Sequence, residues 1–186
     1  MTTAGAKAKL IAVDGIDAAR VVAAAKAALA SPARGGGISK WDASGVFQDL
    51  AVAERDAGAP SARTLLLLYA ADLAFRLRWQ IRPALAEGRT VVAAPYVATA
   101  TAFGRAAGLP YAWLANLFGF APRPDARFFV HPVRGARDSG GRDGFVPFVC
   151  DHIAGGEAER ERRRLIASIA AYLRAADRVV ARRRNS

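Results

Sequence analysis

The chain has few of the residues that staple or anchor a protein. One cysteine, Cys150, is present among 186 residues, which excludes an intramolecular disulfide framework and a multi-cysteine zinc site. Two histidines, His131 and His152, do not complete a metal cluster with it, so no metal site is expected. Long apolar runs are also missing. The longest, Thr64 to Ala71, is closed by Arg63 and Asp72, well short of the roughly 20 residues a membrane span needs. The first residues, MTTAGAKAKLIAVDG, lack a hydrophobic signal followed by a small-residue cleavage site, so a cytoplasmic protein is expected. Lysine is scarce, limited to Lys7, Lys9, Lys26 and Lys40.

What is abundant is apolar surface and arginine. The hydrophobic fraction is 53% and the mean hydropathy +0.12, enough for a sizeable core in one domain spanning 1–186. The net charge is +11 with a pI near 10.9. Nine arginines fall between Glu157 and Ser186, against Glu157, Glu159, Glu161 and Asp177. A second basic group is Arg127, Arg134, Arg137 and Arg142. Such charge favours polyanions or an acidic partner; a solvated basic surface is the plainer alternative. No nucleic-acid-binding motif is present, so nucleic acid is not an expected partner.

The pattern alternates strands with helices. Lys9–Val13 is a β-compatible run ending at Asp14-Gly15, and the alanine-rich Ala18–Ala30 follows with Val21, Val22, Ala25 and Leu29 at helical spacing. Ile38–Ala43 reads as a second strand and Gly45–Asp56 as a helix. Ser61–Glu87 reads as one long helix, N-capped by Ser61, stopped by Gly88 and kinked or restarted at Pro83. Thr90–Ala93 and Arg127–Val130 read as further strands, with helices at Tyr96–Ala107 and Tyr111–Phe118 between them. Residues 131–144, with four glycines, read as a flexible lid-like loop. Glu157–Arg174 reads as a basic C-terminal helix, and 178–181 as either its continuation or a last strand. Cys150 reads as a small buried apolar residue. This order predicts an α/β fold: a parallel sheet with helices on both faces.

Three stretches together resemble the thymidylate kinases, P-loop enzymes that pass a phosphoryl group from ATP to dTMP. LIAVDGIDAA at Leu10–Ala19 is similar to their strand and [ED]GIDGSGKT. Leu65–Gly88 resembles their FAADRAxH helix and IxPAL. Val91–Asp125 resembles V[IV]xDRYxxSxxAYQ, a GL…W…L segment and a PxPD turn. The resemblance runs over about residues 9–130 and implies a three-layer P-loop kinase-like fold, shortened at its C-terminus. The family's helix after the strand at 127–130, and its final helix, find no match in this sequence.

The departures fall on the chemistry. A P-loop needs G-x-x-x-x-G-K-[ST], whose amides cradle phosphates, whose lysine bridges them and whose hydroxyl holds magnesium. Gly15 is in place, but Arg20, Val21 and Val22 occupy the last three positions. Arg20 at a glycine's position implies a strained positive φ, though its guanidinium could still meet an anion. Ala94 and Pro95 stand where the family has the aspartate and arginine of DRY; only Tyr96 is kept. Leu73 replaces the arginine of AADR, and Arg76, a turn later, is either a surface residue or its relocation. His131 stands where the family usually has aspartate and reads as structural or solvent-facing.

Positions the resemblance associates with ligand survive at Asp17, Tyr69, Asp72 and Phe103, with core packing as the alternative for the aromatics and an exposed or capping role for Asp72. Arg134, Arg137 and Arg142 lie where the family's lid sits. Losing one well-placed donor typically costs about 10²–10³ in rate, and five positions are changed. The leading expectation is therefore a non-catalytic relative that binds a partner or nucleotide, with no cofactor. An active divergent nucleotide or nucleoside kinase, using ATP and Mg²⁺ on dTMP or a similar acceptor, is the alternative. Binding of polyanions through the arginine-rich C-terminus is the third. By the same resemblance the chain would be a homodimer, or pair with a related kinase.

Overall fold

A computed structural model of the chain describes residues 8–29, 36–131, 144–153 and 159–184; for 52–57, 153 and 184 it describes the backbone alone. Arg134, Arg137 and Arg142, and with them all but the ends of the expected lid, lie outside the described residues.

Four strands form one parallel sheet in the order β2-β3-β1-β4: β1 Leu10–Gly15, β2 Gly37–Lys40, β3 Val91–Ala94 and β4 Ala126–Val130. Every residue of β1 and β3 is buried, as their near-continuous apolar sequences require of central strands covered on both faces. The registers Leu10↔Val91 and Ile11↔Ala126 bring all strands out at one carboxyl edge.

The two faces are covered unequally. Helix α1 (Ala18–Leu29) lies on one, where Val21 and Ala25 pack with Ile11, Val13 and Val92. The other carries α2 (Val46–Ala57), α3 (Ala62–Arg76), α4 (Arg82–Ala86), α5 (Val97–Ala106), α6 (Tyr111–Leu117), α7 (Phe145–Ile153) and α8 (Glu159–Arg184). Their core runs from Leu65, Tyr69 and Leu73 through Phe103 and Phe145 to Ile169 and Leu173.

The long helix expected over 61–87 is continuous but not uniform. Ser61 caps it, accepting from the Thr64 amide at 3.1 Å. Leu77–Ile81 widens into a π turn before α4, whose second residue is Pro83. The widened turn absorbs the hydrogen bond that proline cannot make. Gly88, at φ +77°, takes the left-handed conformation that ends the segment. Residues 178–181 are helical, so α8 runs 26 residues to Arg184. Two helices, α7 and α8, thus follow β4. Residues 41–43, expected as the end of a strand over 38–43, belong instead to a turn over 41–44.

Candidate functional site

Adjacent strands β1 and β3 send the chain to opposite faces, into α1 and α5. In open parallel sheets the crevice at such a point, outside the carboxyl ends, is where ligands bind. A cavity of about 260 Å³ lies there. Its walls include Gly15, Val21 and Val22 from the first turn, Lys40 to Asp42 after β2, Ala94 and Pro95 after β3, and Phe145. The lining is mostly apolar, with Lys40 and Asp42 adding charge.

The turn after β1 is only Ile16-Asp17, and α1 starts at Ala18. A Cβ on Gly15 would stand 2.8 Å from the Val130 carbonyl oxygen and 2.8 Å from Cγ2 of Val21. One Val21 methyl therefore already packs on the glycine. Gly144, leading α7, lies against Ala18 so closely that a Cβ there would overlap it. Asp17 accepts from the Arg20 amide at 3.0 Å through Oδ1, capping α1 with its own carboxylate. The expectation of strain at Arg20 is corrected: it lies in the first turn of α1, and the described residues show one positive-φ non-glycine residue, Asp42. Its Nη1 donates to the His131 carbonyl at 3.0 Å. His131 in turn meets Asp177 of α8 at 2.8 Å through Nε2, with both side chains partly exposed.

The surviving aromatics face inward. Tyr69 is fully buried and donates from its hydroxyl to the Tyr96 carbonyl at 2.7 Å; burial pushes that hydroxyl's pKa well up. Tyr96 donates to the Pro122 carbonyl at 2.8 Å, and burial moves it up to about 12. Phe103 is fully buried as well. Between Tyr69 and Phe103 sits the ring of Phe145, at centroid distances of 4.5 and 5.5 Å. Phe47, Trp41 and Phe148 extend this cluster to the cavity wall.

Asp72 and Arg76 share this interior, and the surface reading of Arg76 is corrected: both side chains are fully buried. Asp72 accepts from the Asp42 and Ser44 amides and the Ser44 hydroxyl, fastening the turn after β2 to α3. Arg76 donates to the Ser39 hydroxyl and to the Ser39 and Pro95 carbonyls, at 2.7–3.0 Å. Ser39 is a paired residue of β2 and Pro95 follows the last residue of β3, so the guanidinium ties the two strands together beside α3. Its Nη1 lies 3.8 Å from Asp72 and makes no hydrogen bond.

Sequence reasoning passed over one central residue. Asp14, buried at the end of β1, accepts through Oδ1 from the Tyr96 amide, the Thr99 amide and the Thr99 hydroxyl at 2.8–3.0 Å. It thereby caps α5 from another element. Burial raises its pKa, against the hydrogen bonds from Thr99 and Tyr96 and the attraction of Arg127. Tyr96, at the N-cap position of α5, has no capping side chain of its own, and that vacancy was the available signal. Among the described residues no group of three or more His, Cys, Asp or Glu converges on a metal-sized space, and no helix is long and apolar enough to cross a membrane.

The geometry defines an open parallel α/β protein with a switch-point cavity, and comparisons with known proteins narrow the class. No family model matches the chain. A probable thymidylate kinase of Pyrococcus horikoshii is 44% identical over 69 residues, 37% of this chain and 34% of that protein. One from Pyrococcus abyssi is 42% identical over 69 residues, with the same coverages. The match spans about a third of the length of these curated relatives. The crystal structure of thymidylate kinase from Ehrlichia chaffeensis superposes with a TM-score of 0.57 at 14% identity, covering 69% of this chain and 79% of that one. The chain is thus a distant homologue of thymidylate kinases and shares their fold.

Proposed function

We propose that this thymidylate kinase-like protein is non-catalytic and acts by binding. One observation carries the reading: around the switch-point cavity the chain's own groups are committed to one another or offer no ligand for phosphate, magnesium or base. A helix N-terminus attracts phosphate because its amides are unpaired and its dipole is positive. Here the Asp17 carboxylate already takes the Arg20 amide at that end of α1. Val21 and Val22 stand at the lysine and hydroxyl positions of the P-loop pattern and offer neither charge nor oxygen. Ala94 and Pro95 at the edge of β3 offer no side-chain ligand either. ATP with Mg²⁺ does not fit this set. On the acceptor side Phe145 fills the gap between Tyr69 and Phe103 that a nucleobase would need. The test is purified protein with ATP, Mg²⁺ and dTMP in a coupled ADP assay, expected to give background turnover only. Turnover abolished by Asp17→Asn would overturn the reading.

A second observation bears on what is bound. Leu67, Phe75 and Trp79 lie along α3 and the π turn at 53, 39 and 64% exposure. Three large apolar side chains on one helical face, with Arg78 stacked beside Trp79, suit a helix-to-helix contact. The occupant proposed is a second copy, or a related kinase in its place. Light scattering of the full chain should give twice the monomer mass, reverting to monomer in Trp79→Glu. A wild-type monomer that also fails to pair with a thymidylate kinase would rule this contact out.

A further inference from the structure

From the amino end of β4, three hollows of about 400, 420 and 580 Å³ adjoin one another beneath the junction of α5, α6 and α8, reaching Asp14 and Tyr96 at their far side. Tyr111 and Arg127 line all three; Arg123 and Arg183 line the outer two. The groove is therefore continuous and basic, and an aromatic ring stands in its wall. Arg123, Tyr111 and Arg183 are exposed, Tyr111 at 65%. Two carboxylates also line it, Asp125 exposed and Asp14 buried, against Arg123, Arg127 and Arg183. Asp125 accepts from the Leu10 amide at 2.8 Å, and Asp14 is buried and committed to capping α5.

We propose that this groove binds single-stranded nucleic acid, with phosphates along Arg123, Arg127 and Arg183 and a base stacked on Tyr111. Proteins that hold single strands without reading sequence combine a positive channel with exposed rings, because every base has a π face. The run of three adjoining hollows and the +11 net charge favour a strand over a mononucleotide. The three arginines come from a loop, a strand and the C-terminal helix, so no linear motif announces them. The site is independent of the switch-point cavity and of whether the protein transfers phosphate.

The experiment is fluorescence anisotropy of labelled twelve-residue oligo(U) and oligo(dT) with the full chain, between about 50 and 200 mM salt. Three phosphate contacts predict that log affinity falls with log salt at a slope of about −2. Tyr111→Ala should weaken binding about tenfold with the slope unchanged. Arg123→Gln and Arg183→Gln should each flatten the slope by about 0.7. Arg160→Gln with Arg164→Gln, exposed on the far end of α8, should leave both readouts as they are. The proposal is overturned by no binding, by UMP competing as well as the oligomer, or by the α8 double variant weakening binding as much as the groove variants do.

Discussion

The two ends of the sheet have opposite characters. At the carboxyl end the chain meets its own needs: Asp17 caps α1, Asp14 caps α5, Arg76 donates to the carbonyls of Ser39 and Pro95, and Phe145 fills an aromatic gap. At the amino end Arg123, Arg183 and Tyr111 point outward around a groove the core does not fill. The difference shows that a place in the fold where ligands usually bind can be given over to stability. Substitutions at the carboxyl end should therefore change folding free energy, and those at the amino end should change binding alone.

The largest effect is expected at Asp72. Asp72→Ala leaves the Arg76 charge buried without its carboxylate and should cost about 3–5 kcal/mol in urea unfolding. A loss under about 1 kcal/mol would mean that the pair does not hold this end together. Phe145→Ala should cost about as much, roughly 3–5 kcal/mol, by emptying the space between Tyr69 and Phe103. In that variant thymidine should raise the melting temperature, while the parent chain should not respond; equal responses would contradict the self-filled site.

Asp14 separates hydrogen bonding from charge. All three donors meet Oδ1, which an asparagine keeps, so Asp14→Asn should cost less than half of what Asp14→Ala costs. The native pKa lies above the ordinary value of 3.8, so the native state holds this proton more tightly than the unfolded chain. Its share of stability must then fall as pH rises from 3.8 through the native value, and stay level above it. The unfolding free energy of Asp14→Asn minus that of wild type should grow across that window, and a flat difference would contradict the burial effect. Smallest of all, Tyr111→Ala and Arg123→Gln should stay within about 0.5 kcal/mol of wild type in urea unfolding, whatever they do to oligonucleotide binding. A larger loss would make the amino end part of the core.

Much of the fold was legible because its signals are local. The apolar run at Leu10–Val13, the cap at Ser61 and the stop at Gly88 each depend on a few neighbouring residues, and each stands in the structure. Helix α7 was not read from FVPFVC, because nine residues are too short for a clear period and Pro147 looks like a breaker. It sits in the first turn, where a missing amide costs little. The resemblance singles out Tyr69, Asp72, Phe103 and Arg76, but their surroundings are not in the sequence. Arg76 looked like a surface residue because the carbonyls that hold it belong to Ser39 and Pro95, 37 and 19 residues away.

By itself the sequence determined the order of the four strands and of the helices between them, and the excess of arginine, since these follow from spacing and composition. Tertiary structure alone decided that Phe145 enters the aromatic gap, that Asp14 caps a helix 82 residues on, and that Arg123, Arg127 and Arg183 share a groove with Tyr111. Burial and electrostatic partnership depend on distances in space, and the closing of long loops sets those distances after local periodicity has done its part.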